Sequence, residues 1–302
     1  TGWAGMLKLS STDIILLITF LLIALWHELA LIFLIWGILN GLWIITEKKQ
    51  SETIQEHLEK FHFTEDFEME DLTTSFSFIL VQGSISKKVI EGVLSVDLSQ
   101  SKEYSIFTTK FQNKTSLIIE KSETGERGFL IITEKEISEI LKEKLLAKNL
   151  IEINDDAMES LRIEAGIPLY NIDMSQENLL PETGLEKIAV SYTKGCYLGQ
   201  EVVARIKTYG TVPKAIIGLE FSDNDLPAFD SEIIINNKKV GIIKSGTFSP
   251  NLQKFIALAY LTKEYRKPGE VIEFAIEEKH YKAIVKLLPF YHPPTPQEIA
   301  KK

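Results

Sequence analysis

The spacing of hydrophobic positions changes twice along this chain. From Ile14 to Thr46 they are nearly continuous: His27 and Glu28 are the only ionisable residues in the run, which Asp13 precedes and Glu47-Lys48-Lys49 follows. A bilayer crossing takes about 20 apolar residues, so residues 1–46 predict a transmembrane helical segment with room for tilt. Lys48 and Lys49 then place the remainder on the cytoplasmic side. Gly37 and Gly41 form a small-residue pair at which another helix can approach. A fully buried helix of a soluble protein is the alternative.

From residue 50 the pattern becomes mixed. Ile54, Leu58 and Phe61 recur at helical spacing and predict an amphipathic helix over 50–62. Alternation of acids with Phe and Met through Phe63–Asp71 fits a strand with a solvated face better than a metal-ligand set. Short strands are predicted at Phe76–Gln82, Ser105–Phe111, Ser116–Glu120 and Gly128–Thr133. Thr133-Glu134-Lys135-Glu136 reads as a capping box, opening a helix whose apolar face is Ile137, Ile140, Leu141 and Leu145. A second helix spans Asp155–Ala165 and closes at Gly166, with Pro168 just beyond. Strands interleaved with helices predict an α+β domain over 47–210.

After Tyr209-Gly210 the runs become short and rich in Ile and Val: Lys214–Glu220, Glu232–Ile235, Lys239–Lys244, Phe255–Tyr260, Val271–Ile276 and Tyr281–Leu287. Asn236-Asn237 reads as a hairpin turn, and Lys267-Pro268-Gly269 separates two further runs. Five or six such strands predict a small antiparallel β-barrel over 211–290, with 291–302 as a tail.

Composition narrows the classes. The 302 residues are 45% hydrophobic, as in an ordinary globular chain, and carry a net charge of −9. That acidity argues against a surface that wraps nucleic acid. One cysteine excludes an internal disulfide and a Cys-only metal site, and fits a reducing cytoplasm. No zinc spacing or phosphate-cradling loop occurs. The chain opens on Thr1 and not Met, as a truncated reading frame or a processed product would.

The densest chemistry is Lys194-Gly195-Cys196-Tyr197-Leu198-Gly199-Gln200-Glu201, which holds the lone thiol. Lys194, and a helix starting near Gly199, would each favour the thiolate of Cys196. The plainer reading is a buried thiol before an amphipathic helix that turns Val202, Val203 and Ile206 to the core. By chemistry alone Arg162 and Glu164 read as a surface pair, and Glu182 as a loop acid. His57, His62, His280 and His292 carry no local signature of a Cys/His catalytic pair.

The run Lys194–Glu201, continued by Val202-Val203-Ala204-Arg205, resembles the signature of the YgfZ-type folate-binding proteins. These are relatives of the glycine-cleavage aminomethyltransferase, linked to iron–sulfur cluster assembly or repair and to tRNA modification. Two stretches agree with it in order and spacing: Arg162-Ile163-Glu164-Ala165-Gly166-Ile167-Pro168 through Asp173 to Pro181-Glu182, and Leu58-Glu59-Lys60-Phe61 through Asp71. Gly241 through Ser245 to Ser249-Pro250 resembles the family's barrel. The likeness covers about residues 47–290.

The resemblance implies an aminomethyltransferase-like folate-binding domain followed by the barrel, with tetrahydrofolate as cofactor. It implies that Glu182 binds the pterin ring, since a carboxylate accepts two parallel N–H bonds from an amino-pyrimidine edge. Arg162 shapes the pocket wall, and Asp173 is a further candidate for the same surface. Gly195, Gln200 and Glu201 fall with the cofactor-binding segment. Cys196, tuned by Lys194 and shaped by Tyr197, is implied as a redox-active thiol. The implied partners are folate and iron–sulfur enzymes or their assembly machinery, with no nucleic acid and no metal bound directly. The implied location is the cytoplasm, with a membrane tether where residues 14–46 span. A folate-dependent aminomethyltransferase is the alternative activity.

Residues 14–47 separately resemble the histidine-containing span of membrane-bound O-acyltransferases, through Leu25-Trp26-His27, Phe33, Trp36-Gly37 and Gly41. That likeness implies His27 as a base, although Glu28 and Asn40 depart from the pattern and the other spans are absent. The YgfZ-type proteins open with a strand–helix–strand portion that residues 1–46 do not resemble. Its loss predicts an exposed sheet edge or apolar face.

Overall fold

The computed structural model describes residues 44–46, 50–60, 69–195, 197, 199–210, 212–222 and 225–291. Compact structure divides into two units between Phe76 and Ser77. In the first, helix α1 (Ser51–Glu59) takes the predicted place and half-buries Ile54 and Leu58. Asp71 organises the following turn, accepting the Thr73 N–H at 2.8 Å and the Ser51 hydroxyl at 3.2 Å. The membrane-like segment through residue 43, with His27, Glu28, Gly37 and Gly41, lies outside the described residues. So do most of the Phe63–Asp71 strand and the tail from His292. Among the described residues no helix is long and apolar enough to cross a membrane.

In the second unit a four-stranded sheet has the order β1-β4-β3-β2. Its strands are β1 (Phe76–Gln82), β2 (Ile106–Phe111), β3 (Lys114–Glu120) and β4 (Gly128–Glu134). All four lie within two residues of the predicted bounds. Strands β2 and β3 join through Gln112 and Asn113, both left-handed at φ 48° and 63°. Such a turn matches the natural twist of a hairpin.

One face of this sheet carries helices α2 (Ser86–Leu94) and α3 (Lys135–Leu146), with Ile90, Ile118, Phe129, Ile131 and Leu141 sealed between them. Each such side chain stabilises by about 1.5–3 kcal/mol on burial. Helix α2 was not anticipated: Val89, Ile90, Val93 and Leu94 have helical spacing, but the stretch is short and rich in β-branched residues. On edge strand β1, Phe78 and Leu80 are exposed.

The capping-box expectation fails. Thr133 is still in strand β4, where its hydroxyl pairs with that of Ser116 at 2.8 Å. Helix α3 therefore starts from Glu134 with no side-chain cap. Ile140, expected in the core, is 39% exposed, whereas Ile137, Leu141 and Leu145 are buried.

Helix α4 (Asp155–Glu164) is capped by Asn154, whose side chain accepts the Ala157 N–H at 2.9 Å. It ends, as predicted, at left-handed Gly166 (φ 71°). Beyond it come a single-turn 3-10 helix (Leu180–Glu182) and helices α5 (Glu186–Ala189) and α6 (Gln200–Tyr209).

The barrel has six antiparallel strands: β5 (Lys214–Phe221), β6 (Glu232–Ile235), β7 (Lys238–Ser249), β8 (Lys254–Thr262), β9 (Val271–Ile276) and β10 (Lys279–Lys286). Their order is β6-β7-β8-β5-β10-β9, and β6 returns to β9, so the barrel nearly closes. Its interior is apolar, built around Leu219, Phe221, Ile233, Ile243 and Phe274. The Asn236-Asn237 turn is as predicted, both residues being left-handed. Strand β7 runs longer than expected because a bulge between Ile243 and Gly246 lets it bend without ending. Helix α4 packs on the outside of β7 and β8, where Ile163 meets Ile216, Leu258 and Tyr260.

Candidate functional site

The end of helix α4 is fastened to the barrel by buried charge. Arg162, 3% exposed, donates Nη1 to Asp173 Oδ2 at 2.8 Å and to the Ile167 carbonyl. Its Nε and Nη2 hold both oxygens of Glu159. Burial opposes the charge on Arg162, but the Glu159 hydrogen bond and the charges of Asp173 and Glu159 outweigh it, so its pKa rises. Asp173 is fully buried and also accepts N–H groups from Leu169 and, across to β7, Ser245, each at 2.9 Å.

Glu164, two residues further on, repeats the device. Its carboxylate accepts from the Ser249 hydroxyl and from Asn251 Nδ2 at 2.6 Å, and its carbonyl accepts the Phe290 N–H at 2.9 Å. The expectation of a surface pair is therefore overturned: Arg162 and Glu164 are both buried and do not pair with each other. An ionised group is stable inside only when its polar atoms are satisfied, and here each finds a partner contributed by folding.

Glu182 is placed differently. It is 4% exposed at the end of the 3-10 turn, and its described hydrogen bonds are long and fall on one oxygen. Oε2 accepts the Leu179 N–H at 3.3 Å and Asn178 Nδ2 at 3.5 Å. Lys214 Nζ lies 3.9 Å from the same oxygen. The turn packs against β5 and α6.

On the barrel side, register sets Lys214 opposite Thr262 and Ile216 opposite Tyr260. Opposed residues of an antiparallel pair, and residues two apart on one strand, share a face. Lys214, Ile216, Tyr260 and Thr262 therefore form one outward patch facing the Glu182 turn. The Lys214 ammonium stands 5.5 Å from the centre of the Tyr260 ring. The hydroxyls of Tyr260, Thr262 and Ser245 are buried without a hydrogen-bond partner among the described residues. Burial, then the charges of Glu182 and Asp173, push the Tyr260 phenol well above the usual tyrosine range.

The cysteine-bearing segment is only partly described: Cys196 and Leu198 lie outside the described residues. Lys194 and Gly195 are exposed, and the Lys194 ammonium sits 4.8 Å from the Tyr197 ring centre. Gly199, at φ 85°, needs the left-handed conformation that glycine takes at no steric cost, and it precedes the first residue of α6, Gln200. A side-chain carbon at Gly195 or Gly199 would meet open space, so neither glycine is there for close packing. Glu201 is exposed and pairs with Arg205 along α6. Among the described residues the core face read for α6 is only partly formed: Val202 is 48% exposed, and Val203 and Ile206 are half-buried.

Nearby, Tyr192 donates to Glu186, and that hydrogen bond above all pushes its phenol up to about 12. Among the described residues no group of three or more His, Cys, Asp or Glu is arranged to hold a metal. A cavity of about 250 Å³ lined by Glu273, His280, Tyr281 and Lys282 lies on the β9–β10 hairpin and shares no residue with the Glu182 patch.

Two family models match this chain in the order of its two folded parts. The GCVT N-terminal domain covers residues 39–194, and the glycine cleavage T-protein C-terminal barrel domain covers 214–292. The chain belongs to the glycine cleavage T-protein family. The first match begins at residue 39, inside the apolar run and before the expected start at 47.

Relatives of this T-protein family chain include the aminomethyltransferase of Synechocystis, 30% identical over 220 residues, which are 73% of this chain and 59% of that protein. The aminomethyltransferase of Thermosipho melanesiensis is 33% identical over 228 residues, covering 75% of this chain and 61% of its own length. The chain thus spans about three fifths of the length of these curated relatives. Glycine cleavage system aminomethyltransferase T from Bartonella henselae shares the fold, with a TM-score of 0.69 at 20% identity, over 84% of this chain and 68% of that one.

The family binds tetrahydrofolate. The residues present fit such a group: Glu182 is a buried acceptor with few internal bonds, and unspent hydroxyls stand on the facing strand. The sequence pointed to Glu182 but not to Lys214, Tyr260 or Thr262. Those three become neighbours only through the β5–β8 register, and nothing local marks them.

Proposed function

We propose that this chain is a tetrahydrofolate-binding protein acting on a folate-borne one-carbon unit, in the manner of the aminomethyltransferases it resembles. The observation that carries this reading is Glu182: a buried carboxylate whose described hydrogen bonds leave acceptor capacity for an amino-pyrimidine edge. The facing patch of β5 and β8 forms the other wall. Arg162 and Asp173 act from behind it, since their charges are spent on each other, on Glu159 and on the backbone; they hold α4 and the barrel in register.

Titration calorimetry with tetrahydrofolate tests the reading. Binding is expected, and Glu182→Gln should weaken it about 10–100-fold, the worth of a charged hydrogen bond. Release of the one-carbon unit from an aminomethyl carrier should accompany it. No binding by the wild-type chain would overturn the proposal.

A second reading rests on the run Lys194–Glu201, which resembles the YgfZ-type signature. There the chain binds folate in the same place but serves iron–sulfur proteins through the Cys196 thiol. It expects Cys196→Ala to keep folate affinity while abolishing recovery of an iron–sulfur enzyme's activity, with no aminomethyl turnover. Turnover that survives Cys196→Ala would decide for the transferase.

A further inference from the structure

An amino-pyrimidinone edge presents an amino group, a ring N–H and a carbonyl in sequence. A carboxylate accepts from the first two and leaves the carbonyl needing a donor. Among the described residues, the side-chain donors on the Glu182 turn and the strand patch facing it are Asn178, Lys214, Tyr260 and Thr262. Asn178 is already turned to the Glu182 carboxylate at 3.5 Å. Lys214 is 46% exposed on a flexible stem. Tyr260 is held rigidly: its ring is 2% exposed on the central strand β8, packed against Ile163, Ile216 and Leu258.

We propose that Tyr260 is a further folate-contacting residue, whose buried hydroxyl, unpartnered among the described residues, donates to the ring carbonyl beside the N–H groups that Glu182 accepts. The proposal rests on the folate reading of the Glu182 site and names a specificity determinant within it. Three observations carry it. A buried hydroxyl without a partner is costly, and a ligand acceptor removes that cost. The phenol stands close enough to feel the Glu182 carboxylate, and its pKa is raised, so the group keeps its proton and remains a donor. Its cover is the Lys214 side chain, whose ammonium lies 5.5 Å from the ring centre and can swing out to solvent.

The test is calorimetric titration of wild type, Tyr260→Phe and Thr262→Val with tetrahydrofolate and with a pteridine whose 4-oxo group is replaced by amino. Phe keeps the ring and its packing. For Tyr260→Phe an affinity loss of about tenfold is expected for the 4-oxo ligand, with a smaller loss for the 4-amino one. Any loss in Thr262→Val should be equal for the two ligands, because the ring carbonyl is assigned to the Tyr260 hydroxyl and not to Thr262. The fitted stoichiometry separates a misfolded fraction from weakened affinity. Unchanged affinity in Tyr260→Phe, an equal loss for both ligands, or a loss confined to Thr262→Val would each overturn the inference while leaving the folate site standing. Failure of the wild type to bind either ligand would overturn the site reading and this one with it.

Discussion

The Ser245 N–H donates to Asp173 Oδ1 at 2.9 Å, joining the barrel to the loop after α4 through a carboxylate that has no solvent contact. The other oxygen of Asp173 is held by Arg162 at 2.8 Å. Asp173→Ala would leave the guanidinium buried beside a cavity and free the Ser245 N–H. Losing one partner of a buried pair costs about 3–5 kcal/mol. Urea unfolding should show a lower midpoint for Asp173→Ala of that size, and a shift below about 1 kcal/mol would refute the internal role given to this pair.

Glu164 offers an independent measure of the same seam. Glu164→Ala removes the acceptor for both the Ser249 hydroxyl and the Asn251 amide. Two donors left unmet cost about 1–3 kcal/mol each where they stay buried. The expected result is a drop in stability that Ser249→Ala, made in the Glu164→Ala background, partly recovers. Additive losses would mean that the two residues are not coupled.

Gly166 closes α4 at φ 71°, and a side-chain carbon there would come within 2.7 Å of Leu288 Cβ. Gly166→Ala therefore combines backbone strain with a clash against a packed side chain. A loss of about 1–3 kcal/mol, read as a lower melting temperature, is expected. Gly195→Ala is the contrast: the space around it is open, and the melting temperature should hardly move.

The Tyr260 phenol also predicts an alkaline signature. Its folded pKa lies above the ordinary tyrosine value of 10.0, because of burial and then the charges of Glu182 and Asp173. Above pH 10 the unfolded chain releases this proton while the folded chain keeps it, so stability falls as pH rises through that range. Denaturation series from pH 8 to about 11 should show a shallower alkaline decline in Tyr260→Phe than in the wild type. Parallel declines would show that the phenol titrates normally.

Much of the fold was legible locally. Strands β1 to β4 follow from alternation, the end of α4 from Gly166 and Pro168, and the β6–β7 turn from paired asparagines; each signal lies within a few residues of what it specifies. The misses share one cause. Thr133 looked like a helix cap because its partner Ser116 is distant in sequence and meets it only across β3 and β4. Arg162 and Glu164 looked like surface charges because Asp173, Ser249 and Asn251 come from other segments.

The candidate site divides along the same line. The sequence by itself determined most of the element types and, through the family resemblance, Glu182 as the acid to examine, because these depend on residue order. Only the tertiary structure decided that Glu182 is buried with acceptor capacity to spare, that Arg162 and Asp173 are committed to holding the barrel, and that Tyr260 and Lys214 face the site. Those properties are set by desolvation and by strand register, and both arise only when segments distant along the chain are packed together.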